Sequence, residues 1–466
     1  MREFVKRVHF VGIGGIGMSG IAEVLLELDF EVSGSDCAHS AIIDRLRDAG
    51  ARVVCGHRAE HVAGADAVVA SSAVAADNIE LAAARERGIP VLPRAEMLGE
   101  LMRFRKGIAI AGTHGKTTTT SLVAAVLARA GLDPTFIVGG VVNSVHASAR
   151  LGHGEHMVVE ADESDASFLH LQPQMAVMTN IDADHMQTYA GDFARLKRAC
   201  LAFLHNLPFY GLAVLCFDDP AVREIAADLR KPQVTYGFAE GVDFRAIDVR
   251  QHGRDSVFRV ERRGADAGEY RLAMPGRHNV QNALAAIAIA SRLGLAEADV
   301  ARALAQFEGV GRRFDLLGEI QIPRGRALLV DDYAHHPTEL AATLAAARGC
   351  WPKRRLVAVF QPHRYTRTRD LLDRFARALA GLDHLVVAPV YPAGEAPIAG
   401  ADSDSLCRAI RKLGGAPLPV ESLDDLNHQL PEMLRDGDVL LTLGAGDIGR
   451  FAQVLAANGL RGALAS

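Results

Sequence analysis

Residues Ala111–Thr120 read AGTHGKTTTT. An apolar run, Gly107–Ala111, precedes them, and Ser121–Ala130 follows, a helix-favouring stretch that stops at Gly131. A buried strand, a glycine loop, GKT and then a helix form a unit built to face an anion. Loop N–H groups and the helix N-terminus point at a nucleotide's phosphates. Gly112, Thr113, His114, Gly115, Lys116, Thr117 and Thr118 are the candidate ATP-binding segment. Lys116 is placed to reach the β/γ oxygens, and the Thr117 hydroxyl to ligate Mg²⁺. The usual pattern carries a glycine five residues before Gly115, where Ile110 stands. A plain strand-to-helix turn would require neither the lysine nor the threonine.

The unit is one of many. Apolar strand-like runs alternate with Ala/Leu-rich helical stretches along most of the 466 residues, which implies parallel sheets covered by helices. That length exceeds one core and predicts roughly three domains. The expected fold is α/β with a Rossmann-like N-terminal domain at 1–104. A central P-loop-type ATP-binding domain follows at 105–314, and a C-terminal Rossmann-like α/β domain at 315–466. Strands are expected at Val8–Ile13, Phe30–Gly34, Ala65–Ser71, His156–Glu160 and Met175–Asn180. Four more are expected at Ala327–Asp331, Leu356–Phe360, Leu385–Val390 and Val439–Leu443, with an antiparallel patch near Gly237–Met274.

Bulk properties exclude several classes. A net charge of −5 gives no basic field for nucleic acid. Cys37, Cys55, Cys200, Cys216, Cys350 and Cys407 are scattered without a CxxC pair, which fits a reducing compartment and no zinc site. The N-terminal apolar stretch is broken by Gly12, Gly14, Gly15 and Gly17, unlike a signal peptide. No apolar run reaches the roughly 18 residues of a membrane span. A cytoplasmic enzyme without membrane insertion is expected.

The N-terminal glycines form GxGxxG between a strand and a helix, with Asp36 past the second strand. This geometry takes any pyrophosphate, so a UDP-sugar and NAD both remain open. Gly14, Gly15, Gly17, Asp36, Ser71 and Ser72 are the candidate contacts. Glu160 ends an apolar strand and begins EADESD, where a carboxylate beside a phosphate loop suits Mg²⁺; Asp162 and Asp165 read as solvated. His185, beside Asp184 after another strand end, is a candidate cation ligand or phosphoryl contact. Asn279 and Asn282 share a helix face, and their carboxamides match an adenine edge. Arg313, at the hinge into the third domain, can clamp phosphate on closure, while Arg312 reads as a linker charge. Asp332, His335, His363, Arg364 and Arg367 sit at neighbouring strand ends and suit an anionic or zwitterionic ligand.

GTHGKTTT, EADESDASFLHLQP, NxxxDH, HNxxNxxAA, DDYxHHPTE and FQPHRYTRTRD occur in this order, and together they resemble the Mur ligase family of peptidoglycan synthesis. The resemblance covers nearly the whole chain. It implies an ATP-dependent amide-forming ligase that phosphorylates the carboxylate of UDP-N-acetylmuramate and lets an amine attack the acyl phosphate. The GxGGxGMSG start with EADESDASFLHLQP points to L-alanine as the incoming amine; a tripeptide on the same UDP-sugar is the alternative. By motif position, Lys116 and Thr117 would hold the γ-phosphate and Mg²⁺, with Thr117, Glu160 and His185 as ligands of one or two ions. Asn279 and Asn282 would contact the nucleotide, and Arg313 and Asp332 would complete the catalytic set. His335, His363, Arg364 and Arg367 would lie near the acceptor carboxylate or the alanine. An NAD-dependent oxidoreductase and a non-enzymatic ATP-driven switch are the readings from other classes.

Overall fold

The computed structural model describes residues 3–71 and 73–460. Its first sheet has five strands, all parallel, in the order Arg52–Cys55, Glu31–Asp36, Arg7–Val11, Ala67–Ala70, Val91–Pro93. Val8, Phe10, Val11, Val68 and Val69 are fully buried, as strands covered on both faces require. The strand order reverses at Arg7–Val11, so the loops after Val11, Asp36 and Ala70 border one crevice.

The second sheet has ten strands. Lys106–Ala111 lies at its switch point, flanked in parallel by Met175–Met178 and His156–Glu160. Strand ends expected at Glu160 and near Asn180 therefore border the phosphate loop on either side. Thr135–Val142 pairs in parallel with His156–Glu160, and Ala147–Arg150 closes that edge antiparallel. At the other edge come Phe244–His252, Asp255–Arg262 and Ala265–Leu272. They neighbour one another and are joined by two-residue turns, which only antiparallel pairing allows.

The third sheet has six strands ordered Asp315–Ile322, Gly325–Asp332, Val439–Leu443, Leu356–Phe360, His384–Val387, Pro417–Pro419. The first pair is antiparallel and the rest parallel. Three expected strands, His156–Glu160, Leu356–Phe360 and Val439–Leu443, have the bounds their apolar runs suggest. The helix after the phosphate loop runs Lys116–Arg129, beginning at the lysine itself rather than at Ser121.

By compactness the chain divides into two units. One contains Met1–Asp248, Phe258–Arg271 and Val280–Glu308; the other contains Val249–Val257, Leu272–Asn279 and Gly309–Ser466. In the first, one apolar core runs from Phe10 and Leu25 through Ile137 to Phe168 and Phe203, so two sheets share a unit. Among the described residues, no helix is long and apolar enough to cross a membrane.

Candidate active site

The phosphate loop is shaped by two glycines. Gly112 has φ 125° and Gly115 φ 80°, conformations in which L side chains are strained. A Cβ on Gly112 would collide with Thr179 Oγ1, and one on Gly115 would come within 2.6 Å of Asn282 Oδ1. The loop is pinned by the neighbouring strand end. His114 N–H donates to Asn180 Oδ1 at 2.8 Å, while Asn180 Nδ2 and Thr179 Oγ1 donate to His114 O at 2.9 and 2.7 Å. His114 Nε2 lies 3.2 Å from Asp182 Oδ2, and Asp182 N–H donates to Thr113 Oγ1 at 2.9 Å.

Lys116 Nζ donates to Gly112 O at 2.8 Å and to Thr113 O at 3.2 Å, and it lies 2.8 Å from Glu163 Oε2. Burial opposes its charge, but Glu163, Asp162 and Glu160 more than offset that and hold the ammonium above its usual range. Glu163 is thus a buried counter-ion. Thr117 Oγ1 donates to Glu160 Oε1 at 3.1 Å, and Gly139 N–H to Glu160 Oε2 at 2.7 Å. The helix Arg277–Arg292 carries both candidate asparagines. Asn282 lies against Gly115, whereas the buried Asn279 donates from Nδ2 to Pro275 O at 2.8 Å. His185 has left-handed backbone, φ 53°, and its Nε2 is 3.5 Å from Asp184 Oδ2.

The crevice of the first sheet is a cleft of about 540 Å³ lined by Gly12, Gly14, Gly15, Asp36 and Ser71. Gly14 N–H donates to Asp36 Oδ2 at 2.9 Å, so the carboxylate already bonds the glycine loop. Gly17, expected among the contacts, instead lies under Arg94: a Cβ there would meet Arg94 Cδ at 3.2 Å. Ser72 lies outside the described residues. His57 and Asn78 also line the cleft, and no motif singled them out.

In the third sheet the guanidinium carbons of Arg312 and Arg313 lie 5.0 and 4.7 Å from the Tyr333 ring centroid. Arg312 is no loose linker charge. Its Nε is 3.0 Å from the fully buried Asp331 and its Nη2 donates to Gly444 O at 2.6 Å, joining two adjacent strand ends. Asp332 accepts Phe314 N–H at 2.7 Å and Ala334 N–H at 2.8 Å. Burial pushes its carboxyl up to about 6, against the pull of Arg313 and those two donors. His335 and His363 meet at 5.8 Å between ring centroids, His363 stacks on Tyr391 at 5.4 Å, and Arg367 Nη1 is 3.2 Å from His363 Nδ1. Arg364, at φ 70°, points Nη1 to within 3.8 Å of Glu395 Oε1.

Three family models match in register with these sheets. Residues 7–106 match the Mur ligase family catalytic domain, 110–290 the Mur ligase middle domain, and 312–446 the Mur ligase glutamate ligase domain. The UDP-N-acetylmuramate–L-alanine ligase of Methylococcus capsulatus is 58% identical over 97% of this chain and 96% of its own. The crystal structure of UDP-N-acetylmuramate–alanine ligase from Thermotoga maritima is 31% identical, with a TM-score of 0.83 over 98% of this chain and 99% of that one. A murein peptide ligase from Psychrobacter arcticus is 25% identical, with a TM-score of 0.70 over 97% and 99%. The chain belongs to the Mur ligase family and has its three-domain α/β architecture and its ATP-dependent, amide-forming ligase chemistry.

Proposed function

We propose that this chain joins L-alanine to the carboxylate of UDP-N-acetylmuramate, converting ATP to ADP and phosphate in peptidoglycan precursor synthesis in the cytoplasm. The observation that carries the reading is the phosphate loop at the switch point of the second sheet, in a chain 58% identical to a ligase of that name. The domain limits 1–104, 105–314 and 315–466 belong to the same proposal.

The loop from Gly112 to Thr118 cradles the ATP phosphates, and the Lys116 ammonium turns from Glu163 to the transferring phosphoryl group. Thr117 and Glu160 oxygens converge to 3.1 Å and form a donor set suited to a hard cation. Mg²⁺, one ion or two with His185 as a further ligand, would neutralise phosphate charge when bound. Asn282, beside the loop, and Asn279 contact the nucleotide. Gly14, Gly15, Asp36 and Ser71 hold the UDP moiety in the N-terminal cleft. The sugar carboxylate attacks the γ-phosphoryl group to give an acyl phosphate. The alanine amine then attacks that carbonyl and phosphate leaves. His335, His363, Arg364 and Arg367 hold the alanine carboxylate, Arg313 stabilises charge on the transferring group, and Asp332 positions Arg313. Such chemistry needs positioning and charge neutralisation more than covalent catalysis.

The test is phosphate release from ATP with UDP-N-acetylmuramate and Mg²⁺, run with each amino acid and with a tripeptide in parallel. Release that requires L-alanine and yields an amide-linked nucleotide supports the proposal. Release only with the tripeptide changes the acceptor, and release without any acceptor overturns the ligase reading.

A further inference from the structure

Behind the N-terminal cleft lies a buried polar cluster that the proposed reaction does not use. Glu80, in the first turn of the helix Ile79–Glu86, is fully buried and faces three histidines. Its Oε1 lies 2.6 Å from His61 Nδ1 and accepts Arg58 N–H at 3.3 Å. Its Oε2 accepts the Ser35 hydroxyl and lies 3.1 Å from His57 Nδ1. His9 Nε2 stands 3.7 Å from the same oxygen, with His9 Nδ1 held at 2.9 Å by Ser33 Oγ. Burial alone would raise this carboxyl, but the facing His9 together with the bonds from Ser35, His61 and His57 holds it down at about 2.

An ionised carboxylate only accepts, so the ring nitrogens turned to it carry hydrogen. The Ser35 hydroxyl spends its hydrogen on Glu80, and its lone pair then receives His57 Nδ1–H at 2.9 Å. Both neighbours of Nδ1 therefore demand a proton on it. With Nδ1 turned inward, the Nε2 edge of His57 is left for the cleft that this ring lines, and with its hydrogen on Nδ1 the ring offers an acceptor there.

We propose that Glu80 is a positioning residue for base recognition: it fixes the His57 tautomer so that a bare Nε2 in the cleft selects the imide N–H of uracil over the N3 acceptor of cytosine. This rests on the reading of the cleft as the nucleotide-sugar site. The discrimination comes from pairing, because a cytosine would face an acceptor with an acceptor and leave both unsatisfied.

Glu80→Met removes the carboxylate at similar volume. Ser35 then turns its hydroxyl hydrogen to His57 Nδ1, and Nε2 becomes a donor. Calorimetric titration of the full chain with UDP and with CDP, without ATP, reads the effect. The preference of the wild type for UDP should fall by about tenfold or more in Glu80→Met and return in part in Glu80→Asp. In turnover the loss should fall on KM for the UDP-sugar rather than on kcat. An unchanged UDP/CDP ratio in a folded Glu80→Met overturns the proposal. Should that variant not fold, ¹⁵N chemical shifts of His57 in the wild type decide it: hydrogen on Nδ1 supports the proposal, and hydrogen on Nε2 overturns it. A wild type that binds neither nucleotide removes the cleft reading itself, and the inference with it.

Discussion

The Lys116 ammonium lies 2.8 Å from Glu163 Oε2, so the cation of the phosphate loop is already paired with a buried carboxylate. Both groups are largely shielded from water, with Lys116 13% and Glu163 3% exposed. Lys116→Ala should abolish phosphate release and also destabilise the fold, by about 3–5 kcal/mol, because Glu163 is left uncompensated. The double variant Lys116→Ala/Glu163→Gln should recover most of that stability and none of the activity. Thermal unfolding and phosphate release on both variants separate the two effects; an active single variant would remove Lys116 from the site.

Glu160 faces the Thr117 hydroxyl with one oxygen and the Gly139 N–H with the other. Glu160→Gln keeps the shape and loses the charge. The Mg²⁺ concentration for half-maximal turnover should then rise at least tenfold. A superimposable Mg²⁺ titration would exclude Glu160 as a ligand.

Arg312 binds the fully buried Asp331, which otherwise accepts only from Thr442 Oγ1 at 2.8 Å among the bonds described. Removing the cation strands a buried charge, so Arg312→Ala should cost about 3–5 kcal/mol. Arg313→Ala, at the residue proposed to stabilise charge on the transferring group, should cost more activity than Arg312→Ala. Urea unfolding of Arg312→Ala and phosphate release from both variants check the two expectations.

Asp332 is buried and its carboxyl is pushed up to about 6 from an ordinary 3.8. The folded state therefore keeps this proton to a higher pH than the unfolded chain. The stability it contributes is fully present below about pH 4 and is lost as pH rises to about 6. By the size of the shift the loss is about 3 kcal/mol. Asp332→Asn should flatten that part of the stability curve. Denaturant midpoints at pH 4 and pH 6.5 for both proteins measure it, and equal slopes would show that Asp332 titrates normally.

Sequence alone determined the strands that are uninterrupted apolar runs, such as His156–Glu160 and Val439–Leu443, and the glycine loop that follows Ala111. These follow from local rules: burial of consecutive apolar residues, glycine at positive φ, and anion affinity at a helix start. The ordered motifs determined the family in the same way. Tertiary structure decided which charged groups meet. Glu163 reaches Lys116 across 47 residues, Glu80 reaches Ser35 across 45, and Arg312 reaches Gly444 across 132. In sequence Arg312 reads as a linker charge, and nothing local singles out Glu163 or Glu80. Each is buried or bonded because the order of strands in its sheet brings distant chain segments together. Periodicity says which face of an element is covered, but not which element covers it.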